Sequence, residues 1–158
     1  MGTLYVDAAG SPTNSGSSDN ATPDLTVTVD ASYAGGTTIP LAGSPDLSGI
    51  STSGDTQAAI YFGDATNTNL KVFWITAVDN TAKTITVDTE PTGLTPGSSQ
   101  GNIGGQQTVV QTCVDALRGG DTLIINSSVT QATTIIGSRR NGSPTDGYIK
   151  IKGKRGGP

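Results

Sequence analysis

The 158-residue chain contains no histidine and a single cysteine, Cys113. Without histidine no Ser/His/Asp or Cys/His catalytic arrangement can be assembled, and no metal can be held by imidazole. One thiol cannot close an internal disulfide, and it is too few for a structural zinc site. Apolar residues make up 33% and charged residues 14% of the chain, against about 45–50% and about 25% in ordinary globular domains. No apolar run approaches the roughly 18 residues that a membrane-spanning helix needs. Residues 1–19 carry neither the basic nor the apolar region of a secretory signal. These absences lead us to expect a chain that is not an enzyme, binds no membrane, and stays in a cytoplasm or leaves it by lysis.

Thr, Ser and Gly fill the space that charge and apolar side chains leave. Disordered chains usually combine low hydrophobicity with high charge, so the composition instead favours a β-rich, loop-rich protein with a thin core. The length allows one or two small domains. Charge is distributed unevenly along the chain. Residues 1–138 hold Lys71, Lys83 and Arg118 against twelve carboxylates, net −9, whereas residues 139–158 hold six basic residues against Asp146, net +5. An acidic body repels phosphate, which argues against nucleic acid as a partner. The basic end reads as a solvated face or as a contact for something anionic.

Along the chain, Leu4-Tyr5-Val6-Asp7 is a short strand signal, and residues 8–23, without a period of 2 or 3.6, read as a loop. Leu25, Val27 and Val29 alternate with Thr26, Thr28 and Asp30, which predicts a half-buried strand. Further strands are expected over residues 37–41 and 58–62, with a turn at Gly43-Ser44-Pro45-Asp46 between them. The densest apolar run, residues 70–78, holds Val72, Phe73, Trp74 and Ile75, and a run apolar on both faces belongs centrally in a sheet or inside a barrel. Residues 79–83 supply turn chemistry, and Thr84-Ile85-Thr86-Val87-Asp88 alternates again, predicting an antiparallel hairpin. Residues 91–107 read as a linker. From Thr108, the residues Val109, Val110, Cys113, Val114 and Leu117 form an apolar stripe at helical spacing, stopped by Gly119-Gly120. Strand-like runs follow at 121–126, 133–137 and 148–153.

The helix ending in Gly-Gly-Asp-Thr-Leu-Ile-Ile-Asn (residues 119–126) resembles the N-terminal cap and first strand of right-handed parallel β-helix proteins of the pectate-lyase-like family. The opening Tyr5-Val6-Asp7, followed by a Ser/Asn/Gly loop, is similar to the start of many such proteins, and the run Ile149-Lys150-Ile151-Lys152-Gly153 is similar to a strand of a following coil. The middle portion, in Gly43-Ser44-Pro45-Asp46-Leu47-Ser48-Gly49 and in Ile75-Thr76-Ala77-Val78-Asp79 leading to Thr84-Ile85-Thr86-Val87-Asp88, is similar to small β-barrel modules near the N-terminus of tailed-bacteriophage structural proteins. Only about two coils fit after Asp121, and a repeat stack needs about three units for stability. The resemblance therefore implies the N-terminal piece of a longer polypeptide.

The expected fold is mainly β: a small antiparallel β-barrel or sandwich, then a short capping helix and the first coils of a parallel β-helix. Its expected segments are an N-terminal strand and loop (1–23), the barrel or sandwich (24–90), the linker (91–107) and the helix with the start of the stack (108–158). No catalytic, cofactor-binding or metal-binding residue is assigned. Asp7, Asn14, Ser15, Gly16 and Asp19 offer oxygen ligands for a hard cation, but ordinary Asx turns explain them better. Asn20-Ala21-Thr22, Asn126-Ser127-Ser128 and Asn141-Gly142-Ser143 match glycosylation sequons and carry little weight without a secretory signal. Cys113 reads as a small buried hydrophobe. Lys150, Lys152 and Lys154 alternate with Ile149 and Ile151, which points the lysines outward and the isoleucines inward on a strand.

The resemblance implies a structural virion protein. It would be the anchoring region of a capsid-attached fibre or decoration protein, or of a tail fibre or spike, located in the virion after assembly in the host cytoplasm. Its implied partners are other virion proteins and further copies of itself, with a host surface glycan reached through a following region. A polysaccharide-degrading β-helix whose active site lies beyond residue 158 is the alternative. A carbohydrate-binding module using one of Tyr5, Tyr33, Tyr61, Phe62, Phe73, Trp74 or Tyr148 is a third.

Overall fold

A computed structural model describes residues 1–67, 70–126 and 148–153. The protein is mainly β, and its described residues form two sheets and one short helix. A six-stranded antiparallel sheet is built from β2 (Leu25–Thr28), β3 (Thr38–Pro40), β4 (Ala59–Phe62), β5 (Val72–Asp79), β6 (Thr84–Val87) and β7 (Gln100–Ile103). The spatial order is β2-β7-β4-β5-β6-β3. The sheet curls until its edges meet. Beyond β2, Val29 pairs with Leu41 just after β3, and Asp30 N–H donates to Pro40 O while Ala42 N–H donates to Thr28 O. Edge strands that bond each other no longer offer a template for aggregation.

A second sheet holds β1 (Thr3–Ser11), β8 (Thr122–Ile125) and β9 (Lys150–Gly153), all parallel. Their registers coincide: Thr3, Thr122 and Lys150 stand side by side, as do Leu4, Leu123 and Ile151. The curled sheet and the helix α1 (Val110–Ala116) lie between β1 and β8 in sequence. Parallel neighbours need a long crossover, and here the whole antiparallel module supplies it.

β5 explains how the two parts become one body. Alternate side chains of a strand point to opposite faces. Phe73 and Ile75 enter the core of the curled sheet with Val27, Ile39, Ile60, Phe62 and Ile85. Val72 and Trp74 enter a second core with Leu4, Val6, Cys113, Leu117 and Leu123. The apolar run read from the sequence is therefore buried on both faces, one inside the curled sheet and one against α1 and β1. Trp74 carries the joint: it is fully buried, and its indole N–H donates to Ala116 O at 2.9 Å. The Arg118 guanidinium lies 4.6 Å from the Trp74 ring centroid, reaches Gln57 Oε1 at 2.8 Å, and faces Asp88 at 3.6 Å and Asp121 at 3.2 Å.

The hairpin of β5 and β6 forms as expected, with a register shift between Ile75 and Ala77 and Lys83 at φ 55° in the turn. Four expectations need correction. Residues 100–103 are not linker: they are β7, the strand that joins β2 to β4. Ile103 alone gives β7 an apolar mark, because Gly101 occupies the inward position where Ile60 Cδ1 and Phe62 Cε1 would lie 2.5 and 2.6 Å from a Cβ. Gly101→Ala is accordingly expected to overpack this core and lower stability by about 1–3 kcal/mol, measurable by urea denaturation.

The first strand also runs further than its apolar residues indicate, to Ser11, and residues 14–16 are buried and bonded to the backbone of residues 104–106. The helix begins at Val110 rather than Thr108, and its N-cap, Val109, makes no side-chain bond. Gln107 Oε1 instead accepts from the N–H groups of Thr108 and Val109, so a buried glutamine serves the exposed donors just before the helix. Finally, Ile151 is 61% exposed, so β9 does not bury its isoleucine as alternation implied. α1 packs over β1 and β5, and Leu123 on β8 is the last of that row to be buried. The expected strand at 133–137, the sequon at Asn141, Asp146 and Lys154 lie outside the described residues.

Candidate functional site

A cleft of about 510 Å³ lies where the N-terminal loop meets the curled sheet. Its apolar lining comes from Tyr5 on β1, Leu25 on β2, Ile50, Ala58 and Ile103 on β7. Asp19, Asp24 and Asp55 supply the charge, and among the described residues no basic side chain lines it. The loop that forms one wall is fixed by backbone bonds. Ser15 and Gly16 N–H donate to Gly104 O and Gly105 O, and Tyr5 N–H donates to Gly16 O. Gly104 and Gly105, both at positive φ, let the chain pass so closely that a Cβ on Gly104 would fall 1.9 Å from Asp24 Oδ2.

Most hydroxyl donors in the cleft are already engaged. Ser17 Oγ bonds Ala59 N–H and Ala59 O, Ser18 Oγ accepts from Gly105 N–H, and Ser51 Oγ donates to Ser53 O while accepting from Thr56. Carboxylate acceptors remain. Asp24 Oδ1 accepts from Asn20 and leaves Oδ2 toward Gly104. Asp19 Oδ1 takes the amides of Gln106 and Asn126. The cleft is thus rich in hydrogen-bond acceptors above an apolar floor.

The five residues considered for a cation do not converge on one point. Asp7 accepts from Ala9 N–H in an Asx turn. Asn14 is buried, with its amide donating to Ala21 O and Gln106 O, while Ser15 bonds Gly104 O and Gly16 serves as a backbone crossing. Among the described residues no three Cys, Asp or Glu side chains gather as metal ligands do. Asp30 and Asp46 are ordinary turn carboxylates. Ser32 hydroxyl and N–H hold Asp30 below the usual carboxylate range, and chiefly Ser48 N–H does the same for Asp46.

Of the aromatic candidates, Tyr33, Phe62, Phe73 and Trp74 are buried. Tyr61 is half-buried in a smaller groove with Asp64, Gln100 and Asn102, and burial together with the Asp64 charge raises its phenol pKa. Tyr148 is 79% exposed beside β9. Cys113 is fully buried, and burial pushes its thiol well above the ordinary range. It should resist iodoacetamide in the native protein and be alkylated fully in urea; native labelling at the denatured rate would contradict its placement.

Among the described residues no helix is long and apolar enough to cross a membrane. Comparison with protein-family models, with curated proteins and with solved structures finds no match for this chain.

Proposed function

We propose that the chain is an assembly module: the anchoring region of a bacteriophage structural protein, holding the start of a parallel β-helix against a curled β module. The observation that carries this reading is the shared register of β1, β8 and β9, which stacks equivalent positions in parallel beside α1. Stacked parallel rungs bury their faces against neighbouring rungs. The curled sheet is clamped to the first of them through Trp74, Arg118 and α1, so the two parts move together. A joint of this kind transmits position and load from one attachment to the next. The phage assignment is supported by the resemblance of the sequence described above.

Sedimentation tests the reading. The chain should form a symmetric oligomer in velocity runs, as fibrous virion proteins commonly do, and should pellet with virions from the lysate in which it is produced. A monomer that remains in the supernatant would contradict it.

A further inference from the structure

We infer that the cleft between the N-terminal loop and the curled sheet receives a lysine or arginine side chain of a basic polypeptide segment. The argument rests on the chemistry of a concave site. An occupant must chiefly satisfy acceptors, since the hydroxyl hydrogens of Ser17, Ser51 and Thr56 in the lining already go to protein oxygens. It must suit three carboxylates, with no cation beside them among the described residues of the lining. It must also cover apolar surface on Leu25, Ile50, Ala58 and Ile103.

A lysine or arginine does all three, because its aliphatic stem lies on apolar surface while its head keeps to polar partners. Tyr5 adds a ring face to which a cation is attracted. The carboxylates are spread around the lining rather than gathered at metal-ligand spacing, which suits a forked guanidinium or an ammonium on a flexible stem and not a bare divalent ion. Asp55 stands at the rim with its side chain exposed.

Charge complementarity selects the partner class. A peptide with basic residues is drawn to a −9 body and docks where shape and apolar floor add to the field. A neutral glycan would find acceptors but few free donors, and an anionic glycan would be repelled. This inference goes beyond the assembly reading and is independent of it, because peptide binding is measured on the isolated chain whether or not the chain pellets with virions.

The test is a titration of the full chain, followed by amide NMR shifts, with acetyl-Gly-Arg-Gly-Lys-Gly-amide. The comparison peptide carries glutamine at both basic positions. Shifts are expected at Leu25, Ile50 and Ile103 with the basic peptide and not with the glutamine peptide, and they should weaken as salt rises from about 20 mM to about 200 mM. Asp24→Asn with Asp55→Asn should weaken binding about tenfold, while Asp30→Asn with Glu90→Gln, an equal change in charge at residues that do not line the cleft, should change it less than about twofold. Equal weakening by the two pairs would show diffuse attraction and overturn the inference. So would shifts of the same amides by the glutamine peptide or by maltotriose at matching concentration. Native spectra of both variant pairs establish that each remains folded.

Discussion

Trp74→Ala should lower stability by about 3–5 kcal/mol, the range found when a large aromatic is truncated in a core. For a chain of this size that corresponds to a fall in Tm of roughly 10 °C or more. The magnitude follows from position. Trp74 has no exposed surface, fills the second core between β5 and α1, and donates to a carbonyl at the end of the helix. Removing it opens a cavity and leaves Ala116 O without its indole partner. It also takes away the face on which Arg118 rests. Trp74→Phe keeps most of the apolar volume and should lose about 1–2 kcal/mol, chiefly the hydrogen bond and the fit. Denaturation followed by far-UV circular dichroism gives both values. A loss below about 1 kcal/mol for the alanine variant would mean that the two sheets are not joined there.

Asp121→Ala has the second largest expected effect. Asp121 is fully buried just before β8, and its two oxygens serve three donors. Oδ1 accepts from Gly2 N–H at 2.6 Å, and Oδ2 from Arg118 N–H at 2.8 Å and Arg118 Nε at 3.2 Å. One carboxylate thereby ties the chain start, the residue after the helix and the second parallel strand. Alanine strands buried donors and takes one partner from Arg118. We expect a loss of about 2–4 kcal/mol, toward the lower end because Arg118 is partly exposed and keeps Asp88 and Gln57. Asn at this position restores the acceptor for Gly2 but turns donors toward Arg118, so it should recover less than half of the loss. Full recovery by Asn would show that the charge is not needed.

Much of the fold could be read from the residues. Period-2 alternation marked β2 and β6, the turn chemistry of residues 79–83 marked the hairpin that joins β5 to β6, and the helical stripe through Cys113 and Leu117 marked α1. The apolar run around Trp74 announced burial on both faces, though not that each face would belong to a different core. What stayed hidden has a common cause. β7 consists of Gln100, Gly101, Asn102 and Ile103, and it is a strand because its backbone completes two ladders, one to β2 and one to β4. Its side chains give no apolar period, since the inward position must be glycine. The extension of β1 and the buried Asn14-Ser15-Gly16 crossing are likewise held by backbone and amide hydrogen bonds to residues 104–107, which leave no hydrophobic signature.

The cleft was visible only in fragments. Tyr5 was one of several aromatic candidates and Asp19 one of many turn carboxylates. Leu25 read as a strand residue and Ile103 as part of the linker, and nothing in their spacing places them beside Asp55. Long-range pairing brings them together, and pairing between distant strands is the step that local sequence patterns express most weakly.

The most direct measurement is a set of backbone NOEs linking residues 122–125 to residues 3–6 on one side and to residues 150–153 on the other. Contacts that ascend together in both directions, Thr122 with Thr3 and Lys150 and Ile124 with Tyr5 and Lys152, are expected from three parallel rungs in register. Contacts that run in opposite senses, with residues 150–153 folded back on 122–125 as a hairpin, would contradict the stack and the anchoring role built on it.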